Sequence, residues 1–166
     1  MRIFTNPRQA SHHPRDEIFR GNRVPCFEKP SRATFVEQAL RARGHVLHAP
    51  DVDSAAVLGK VHAARYLEFL RSAWDQWLAL GAANADEQPF PSAWPVRTLR
   101  SDIEPQNFTA RLGLYSMDNG SPLCAGTWAA AKAGADAAAS AAQALLKGER
   151  SSFCATRPPG HHAGAD

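Results

Sequence analysis

The chain has 166 residues, of which 44% are hydrophobic and 21% are charged, and its net charge is +3 with histidine counted as neutral. This composition is typical of a globular domain with its own core, and it excludes wholesale disorder, collagen and coiled coil. The small, scattered charge excess argues against a nucleic-acid groove. A membrane-spanning helix is excluded because no apolar run approaches about 18 residues.

The N-terminus and the cysteines both indicate the cytoplasm. Residues 1–7 contain no apolar segment of the kind that a secretory signal needs. The chain has three cysteines, an odd number: Cys26, Cys124 and Cys154. They are widely spaced and form no Cys-x-x-Cys pair. We therefore expect buried or half-buried free thiols rather than a disulfide or a zinc ribbon.

In chain order, the pattern first predicts a short strand at 2–5 and another at 46–48, with a helix between them. Residues 6–30 hold four prolines and many charges, so they are predicted to be irregular. The helix is expected to begin at Ser31, a residue type that caps helices, and to end at Gly44.

Two longer helices follow. Apolar residues recur at helical spacing over 61–78, which predicts a helix, and we expect Trp74 and Trp77 of this helix to pack against a core. An alanine-rich helix is predicted at 124–147, followed by a buried strand at 151–155. The alternation of strands and helices predicts an α/β fold with a parallel sheet.

The connection at 82–122 is unusually long. It holds five prolines and several aromatic residues, among them Phe90, Trp94 and Phe108. A compact domain rarely carries about 40 residues of loop unless that loop functions or interacts. We therefore expect an ordered excursion rather than a flexible linker.

Two adjacent histidines, His161 and His162, follow the last predicted strand. Ligands of open α/β sheets bind beyond the carboxyl ends of the strands, and Gly160 allows a ligand to approach the backbone closely. Histidine exchanges a proton near neutral pH, so such a pair suits proton transfer. The residue types alone also fit surface histidines without a function. His12 and His13 form a similar adjacent pair, and we assign no role to them.

The segment Arg157-Pro158-Pro159-Gly160-His161-His162-Ala163 resembles the signature loop of the zinc-dependent histone deacetylase superfamily. Other segments resemble its acetylpolyamine amidohydrolase branch: Arg2-Ile3-Phe4, Val61-His62, Pro95-Val96-Arg97, Asp102-Ile103-Glu104 and Gly126-Thr127-Trp128. The resemblance covers essentially the whole chain. It implies an arginase/deacetylase-like three-layer α/β/α fold around a parallel sheet, incomplete in this chain.

The resemblance also implies a reaction, the hydrolysis of N-acetyl amides of small cationic amines, either acetylpolyamines or acetyl-lysine-like substrates. Zn²⁺ and an activated water attack the amide carbonyl in this family. The role of general base and then general acid falls on His162, and electrostatic help falls on His161. The metal ligands are expected downstream of Asp166, so no residue of this chain is assigned to the metal.

Three residues are assigned to substrate binding through the resemblance. Glu104 matches an acidic residue at the channel mouth, Phe19 falls at a channel aromatic, and Gly160 belongs to the signature loop. A solvated loop carboxylate is the alternative for Glu104, and core packing is the alternative for Phe19. A second acidic position of this branch falls near Gly120 in this sequence. Asp118 is close to that position but does not align with it, so selectivity for polyamines stays open.

Residues 1–166 are thus expected to be the N-terminal part of a single deacetylase-type catalytic domain, with an insertion loop at about 82–122. In this branch that loop builds a homodimer, which we expect of the full-length enzyme. We expect the 166-residue chain alone to be inactive. The alternative is a non-catalytic dimerisation or regulatory module derived from the same fold.

Overall fold

A computed structural model describes residues 1–96, 98, 100, 102–120 and 122–166; Arg97, Leu99, Ser101 and Ser121, all within the predicted insertion loop, lie outside the described residues. The strands are β1 (Arg2–Thr5), β2 (Asp16–Phe19), β3 (Asn22–Pro25), β4 (Leu47–His48) and β5 (Ser152–Ala155). The α-helices are α1 (Pro30–Ala42), α2 (Ala55–Val61), α3 (Ala64–Ala79), α4 (Phe108–Leu114) and α5 (Thr127–Leu146).

The first of two compact units, residues 1–13, 28–60 and 125–161, holds a three-stranded sheet. Its order is β4-β1-β5, and β1 pairs with both neighbours in parallel. Because β1 is the central strand, Ile3 and Phe4 are completely buried. The predicted parallel sheet is confirmed.

Helix α5 covers one face of this sheet. Phe4 packs against Ala137, Ala141 and Ala144, and Cys154 joins the same cluster from β5. Small side chains at these positions allow the helix to lie close to the strands, which is the role that the alanine-rich pattern predicts.

Helix α1 lies against the opposite face. Ala33 and Val36 line a groove of about 260 Å³ with Phe153 of β5, whose side chain points away from that of Cys154. Helices on both faces give the three-layer arrangement. The expectation of a buried last strand is wrong for Phe153, which is 41% exposed, because β5 is an edge strand of the described sheet.

The ends of two predicted helices differ from the observed ones. Helix α1 begins at Pro30 with Lys29 as its N-cap, so Ser31 lies inside the first turn; proline suits this position because its missing N–H has no helical partner there. Gly44 follows the helix with φ +79°, and a glycine stop is confirmed. The helix predicted at 61–78 is interrupted between Val61 and Ala64.

The second unit, residues 14–27, 61–124 and 162–166, contains a hairpin where the sequence predicted irregular chain. Strands β2 and β3 pair antiparallel across a two-residue turn, in which Arg20 and Gly21 both have positive φ, 51° and 79°. Such a turn matches the twist of the two strands. Arginine is an unusual residue for the first position, so the sequence signal was weak.

The core of the second unit forms between α3 and α4. Phe69 and Ala73 of α3 pack against Phe108 and Leu112 of α4, and Trp77 borders this cluster half-buried. The 82–122 segment therefore carries a helix with buried residues, as expected of an ordered excursion. Among the helices of the described residues, none has the length and apolarity that a membrane span needs.

Candidate active site

The loop that follows β5 is the candidate site. Gly160, His161 and His162 are all exposed, beyond the carboxyl end of the strand where the sequence predicted them. His161 is counted with the first unit and His162 with the second. Each end of the loop is held by its own set of contacts.

A buried ion pair holds the beginning of the loop in the first unit. Arg157 is only 4% exposed, and its Nε donates to Glu28 Oε1 over 2.6 Å. The same guanidinium donates to the carbonyls of His12 at 2.7 Å, of Glu28 at 3.2 Å and of Gln9. Its charge and its donors are thus satisfied inside the protein, which a buried guanidinium requires.

A buried amide ties the same point to helix α5. Asn6 donates from Nδ2 to the carbonyls of Ala130 at 2.7 Å and of Arg157 at 2.8 Å. Gly134 of α5 faces this point closely, since a Cβ there would lie 2.7 Å from Thr156 Oγ1. The end of β5 is therefore fixed to the helix by side-chain contacts as well as by the sheet.

A buried histidine completes this group. His12 is fully buried, and its Nδ1 lies 2.9 Å from Thr127 Oγ1. Burial first, and then the positive charge of Arg157, lower the pKa of His12 to about 4. His12 is therefore neutral at pH 7. We call Asn6, His12, Glu28 and Arg157 the Arg157 cluster.

The end of the loop contacts the beginning of α3 in the second unit. His62 Nδ1 donates to the carbonyl of Gly164 over 2.8 Å, and the backbone N–H of Ala63 donates to the carbonyl of Ala165 over 2.7 Å. Because a carbonyl only accepts, the proton of His62 sits on Nδ1. The interruption between α2 and α3 is where the chain makes these two bonds.

An ion pair adds a third contact at this end. Arg65 Nε donates to Asp166 Oδ2 over 3.1 Å, and Nη2 donates to the same oxygen. The pair with Asp166 raises the pKa of Arg65, and Tyr115 and Glu104 contribute in the same direction. We call His62, Ala63, Arg65 and Asp166 the Arg65 cluster.

Glu104, assigned to substrate binding, is a paired carboxylate. Its Oε1 accepts from Arg111 Nη1 over 3.4 Å, and its side chain is 30% exposed. Beside it, burial first and then the charge of Glu104 raise the pKa of Tyr115. A cationic ligand at Glu104 would compete with Arg111. Asp118 accepts from the backbone N–H of Gly120 over 2.9 Å and so shapes a turn.

Phe19 stands at the end of β2 with 45% of its surface exposed. It meets Phe27 edge to face, with ring centroids 5.9 Å apart, and Arg20 lies 5.0 Å from its ring centroid. The alternative of core packing does not describe this position. The ring already contacts one cation, and its role as a channel aromatic stays a prediction.

No group of three or more histidine, cysteine, aspartate or glutamate side chains in the described part of the chain could hold a metal ion. The residues of these ranges therefore do not fit the zinc ion that the sequence resemblance implies.

Sequence reasoning located the histidine loop but not the residues that hold it. No sequence pattern assigned a role in holding the loop to Glu28, Arg65 or His12. One signal was available, since Arg157 lies two residues after the predicted strand and precedes two prolines, where a charged side chain has few local partners.

Comparison with known proteins identifies close similarities. The model of the histone deacetylase domain matches residues 26–166. The chain is 44% identical over 156 residues to acetylpolyamine amidohydrolase 2 of Pseudomonas aeruginosa, and 38% identical over 158 residues to acetylpolyamine amidohydrolase 1 of the same species. Each match covers 93% of this chain and 44% of the relative.

A solved structure shares the fold. The crystal structure of acetylpolyamine aminohydrolase from Burkholderia pseudomallei matches with a TM-score of 0.84 at 30% identity, over 100% of this chain and 47% of that one. The chain thus spans about half the length of the relatives it matches.

Proposed function

The chain belongs to the histone deacetylase family, and from this premise we propose that it forms part of an amide hydrolase that removes acetyl groups from small cationic amines. Acetylpolyamines are the favoured substrates, and acetyl-lysine-like amines are the nearest alternative. The named activity of the relatives supports this substrate class.

One structural observation carries the proposal. The two histidines are exposed on a loop beyond the carboxyl end of β5, and residues on both sides of them make specific contacts with the fold. Two imidazoles presented in this way can exchange protons with a bound substrate. A pair of surface histidines without function needs no such support.

The proton transfers follow from the bonds that change. His162 takes a proton from water as the water oxygen adds to the acetyl carbonyl. When the carbon–nitrogen bond breaks, His162 returns that proton to the departing amine nitrogen, so the products are acetate and the free amine. His161 supplies electrostatic help beside the adding water through its own dipole and hydrogen-bonding capacity.

Zinc, which this family generally uses, is assigned to no residue of this chain because the described residues hold no suitable group of ligands. Its ligands then come from sequence beyond residue 166. The greater length of the relatives supports this assignment, since the chain covers only 44% of the two Pseudomonas proteins.

Substrate recognition is assigned to Glu104 and Phe19 of the second unit and to Gly160 of the histidine loop. Glu104 attracts the distal ammonium group of the substrate, and Phe19 offers an aromatic face that favours a cation. Gly160 lets the substrate approach the loop backbone. Both side chains belong to the same unit as His162. The homodimer built by residues 82–122 and the cytoplasmic location complete the proposal.

The test uses the whole reading frame that contains these 166 codons. Acetylputrescine, acetylspermine and an acetyl-lysine peptide are compared as substrates of the purified protein. We expect His162→Ala to reduce kcat by about 10²- to 10⁴-fold, the usual contribution of a general acid–base residue. Its unfolding should be unchanged because His162 is exposed.

The matched control is His13→Ala, an exposed histidine that also belongs to an adjacent pair. It should keep its rate within about twofold. Failure of the wild-type protein to hydrolyse any of the three substrates would overturn the proposal and favour the non-catalytic module. An unchanged rate in His162→Ala would remove the proton-transfer role.

A further inference from the structure

We propose that Arg65 is a positioning residue for His162: by binding Asp166 it fixes the end of the histidine loop against helix α3. The inference rests on the proposed function, because it gives His162 the proton transfers. It concerns contacts within the second unit only, to which residues 61–124 and 162–166 both belong.

The loop residues after His162 depend on side-chain and backbone contacts for their position. Residues 163–166 belong to no helix or strand and are exposed. Three contacts run from residues 164–166 to residues 62–65. Residues 164, 165 and 166 thus contact residues 62, 63 and 65 in turn, just before and within the first turn of α3. This matched series fixes both the distance and the direction of the loop.

Arg65 is the charged member of the series and the one held by the helix itself. Its Nε and Nη2 both donate to Asp166 Oδ2. A guanidinium is a rigid, planar fork, so two donors on one oxygen restrict the angle as well as the distance of the carboxylate. A lysine at this position would keep the charge but supply one flexible point donor.

The loss of Arg65 also changes the electrostatics of the residue proposed to bind the substrate cation. The negative charge of Glu104 raises the pKa of Arg65, in the same direction as the pair with Asp166. Loss of Arg65 would leave the Glu104 region more negative. A more negative region does not weaken the binding of a cationic amine. The loss of Arg65 does, however, release the loop that carries His162.

These two consequences of losing Arg65 should affect kcat and KM differently. In the whole protein we expect Arg65→Gln to lower kcat for acetylputrescine by about 10- to 100-fold, the loss that a displacement near 1 Å produces at a reacting group. The KM should not rise. Asp166→Asn removes the same ion pair from the other side and should lower kcat to a similar degree.

The matched control is Arg71→Gln, which breaks an ion pair with Glu68 on the same helix at 3.2 Å. Its kcat should stay within about twofold of wild type. The charge-swapped protein, Arg65→Asp with Asp166→Arg, should recover at least about a third of the lost rate. A merely structural role of Arg65 would lower the amount of folded protein and would not be rescued.

Hydrogen–deuterium exchange gives a readout that does not depend on activity. The backbone amide of Ala63, which donates to the carbonyl of Ala165, should exchange at least about threefold faster in Arg65→Gln and Asp166→Asn than in wild type or Arg71→Gln. Exchange at wild-type rates overturns the inference, whether or not the protein is active. Faster exchange with an unchanged kcat also overturns it, and a wild-type protein without activity contradicts the proposed function instead.

Discussion

The two ends of the histidine loop are held in physically different ways. At its beginning, Arg157 is 4% exposed and pairs with a buried glutamate. At its end, the side chains of Arg65 and Asp166 are 27% and 35% exposed. Both are arginine–carboxylate pairs, yet one lies inside the protein and the other lies in contact with water.

Burial decides what each pair contributes. A buried charge that loses its partner cannot be rehydrated without opening the fold, so the first pair bears on stability. At the second pair water replaces the lost partner, and the free energy of unfolding changes little. The comparison indicates a loop whose beginning is part of the core and whose end is held by a pair in contact with water.

The largest effect is expected at the buried pair. Glu28→Gln leaves the Arg157 guanidinium without its carboxylate, which should lower the free energy of unfolding by about 3–5 kcal/mol. Urea denaturation measures the change. The matched control, Glu68→Gln, removes the carboxylate of an exposed pair with Arg71 and should cost less than about 1 kcal/mol.

The double variant sharpens this test. Replacing Glu28 with Gln and Arg157 with Met removes the stranded charge, so it should recover part of the loss. If Glu28→Gln lowers the free energy of unfolding no more than Glu68→Gln does, the two pairs are equivalent and the comparison is wrong.

A second effect concerns pH. In the folded protein burial and Arg157 lower the pKa of His12 to about 4, against 6.5 in the unfolded chain. The unfolded state therefore binds more protons between these values. The free energy of unfolding should fall as the pH drops below about 6.5 and should level off below about 4, with a total loss of about 3 kcal/mol.

The variant His12→Gln removes the titrating group while keeping a polar side chain. Compared between pH 7.5 and pH 4.5, its free energy of unfolding should decline less than that of wild type by about 2–3 kcal/mol. His13→Gln, at the exposed neighbour, is the control. Parallel pH curves for wild type and His12→Gln would contradict a neutral, buried His12.

The sheet could be predicted from sequence because its signals are local. The short apolar runs of β1 and β5 and the alanine-rich α5 each have a recognisable pattern over a few residues. The hairpin at 16–25 was missed because its turn places an arginine at positive φ. The exposure of Phe153 was missed because a sequence pattern does not say which strand lies at an edge.

The contacts that hold the loop lie beyond any local pattern. Glu28 and Arg157 are separated by 129 positions, and Arg65 and Asp166 by 101. Such pairs become neighbours only through the fold, so charge spacing along the chain cannot reveal them. The position of the histidines on a loop beyond β5 could be predicted because their motif is contiguous from Arg157 to Ala163, while their role stays a prediction.

The smallest effect is expected at the end of the loop. Asp166→Asn should lower the free energy of unfolding by less than about 1 kcal/mol, because water solvates the arginine that remains. Salt should distinguish the two pairs further, because at about 1 M ionic strength the electrostatic screening length is only about 3 Å. The small loss in the free energy of unfolding of Asp166→Asn should then disappear, while the loss for Glu28→Gln should persist. Urea denaturation at about 0.1 M and 1 M sodium chloride measures both. A large, salt-independent loss for Asp166→Asn would mean that the end of the loop is as much a part of the core as its beginning.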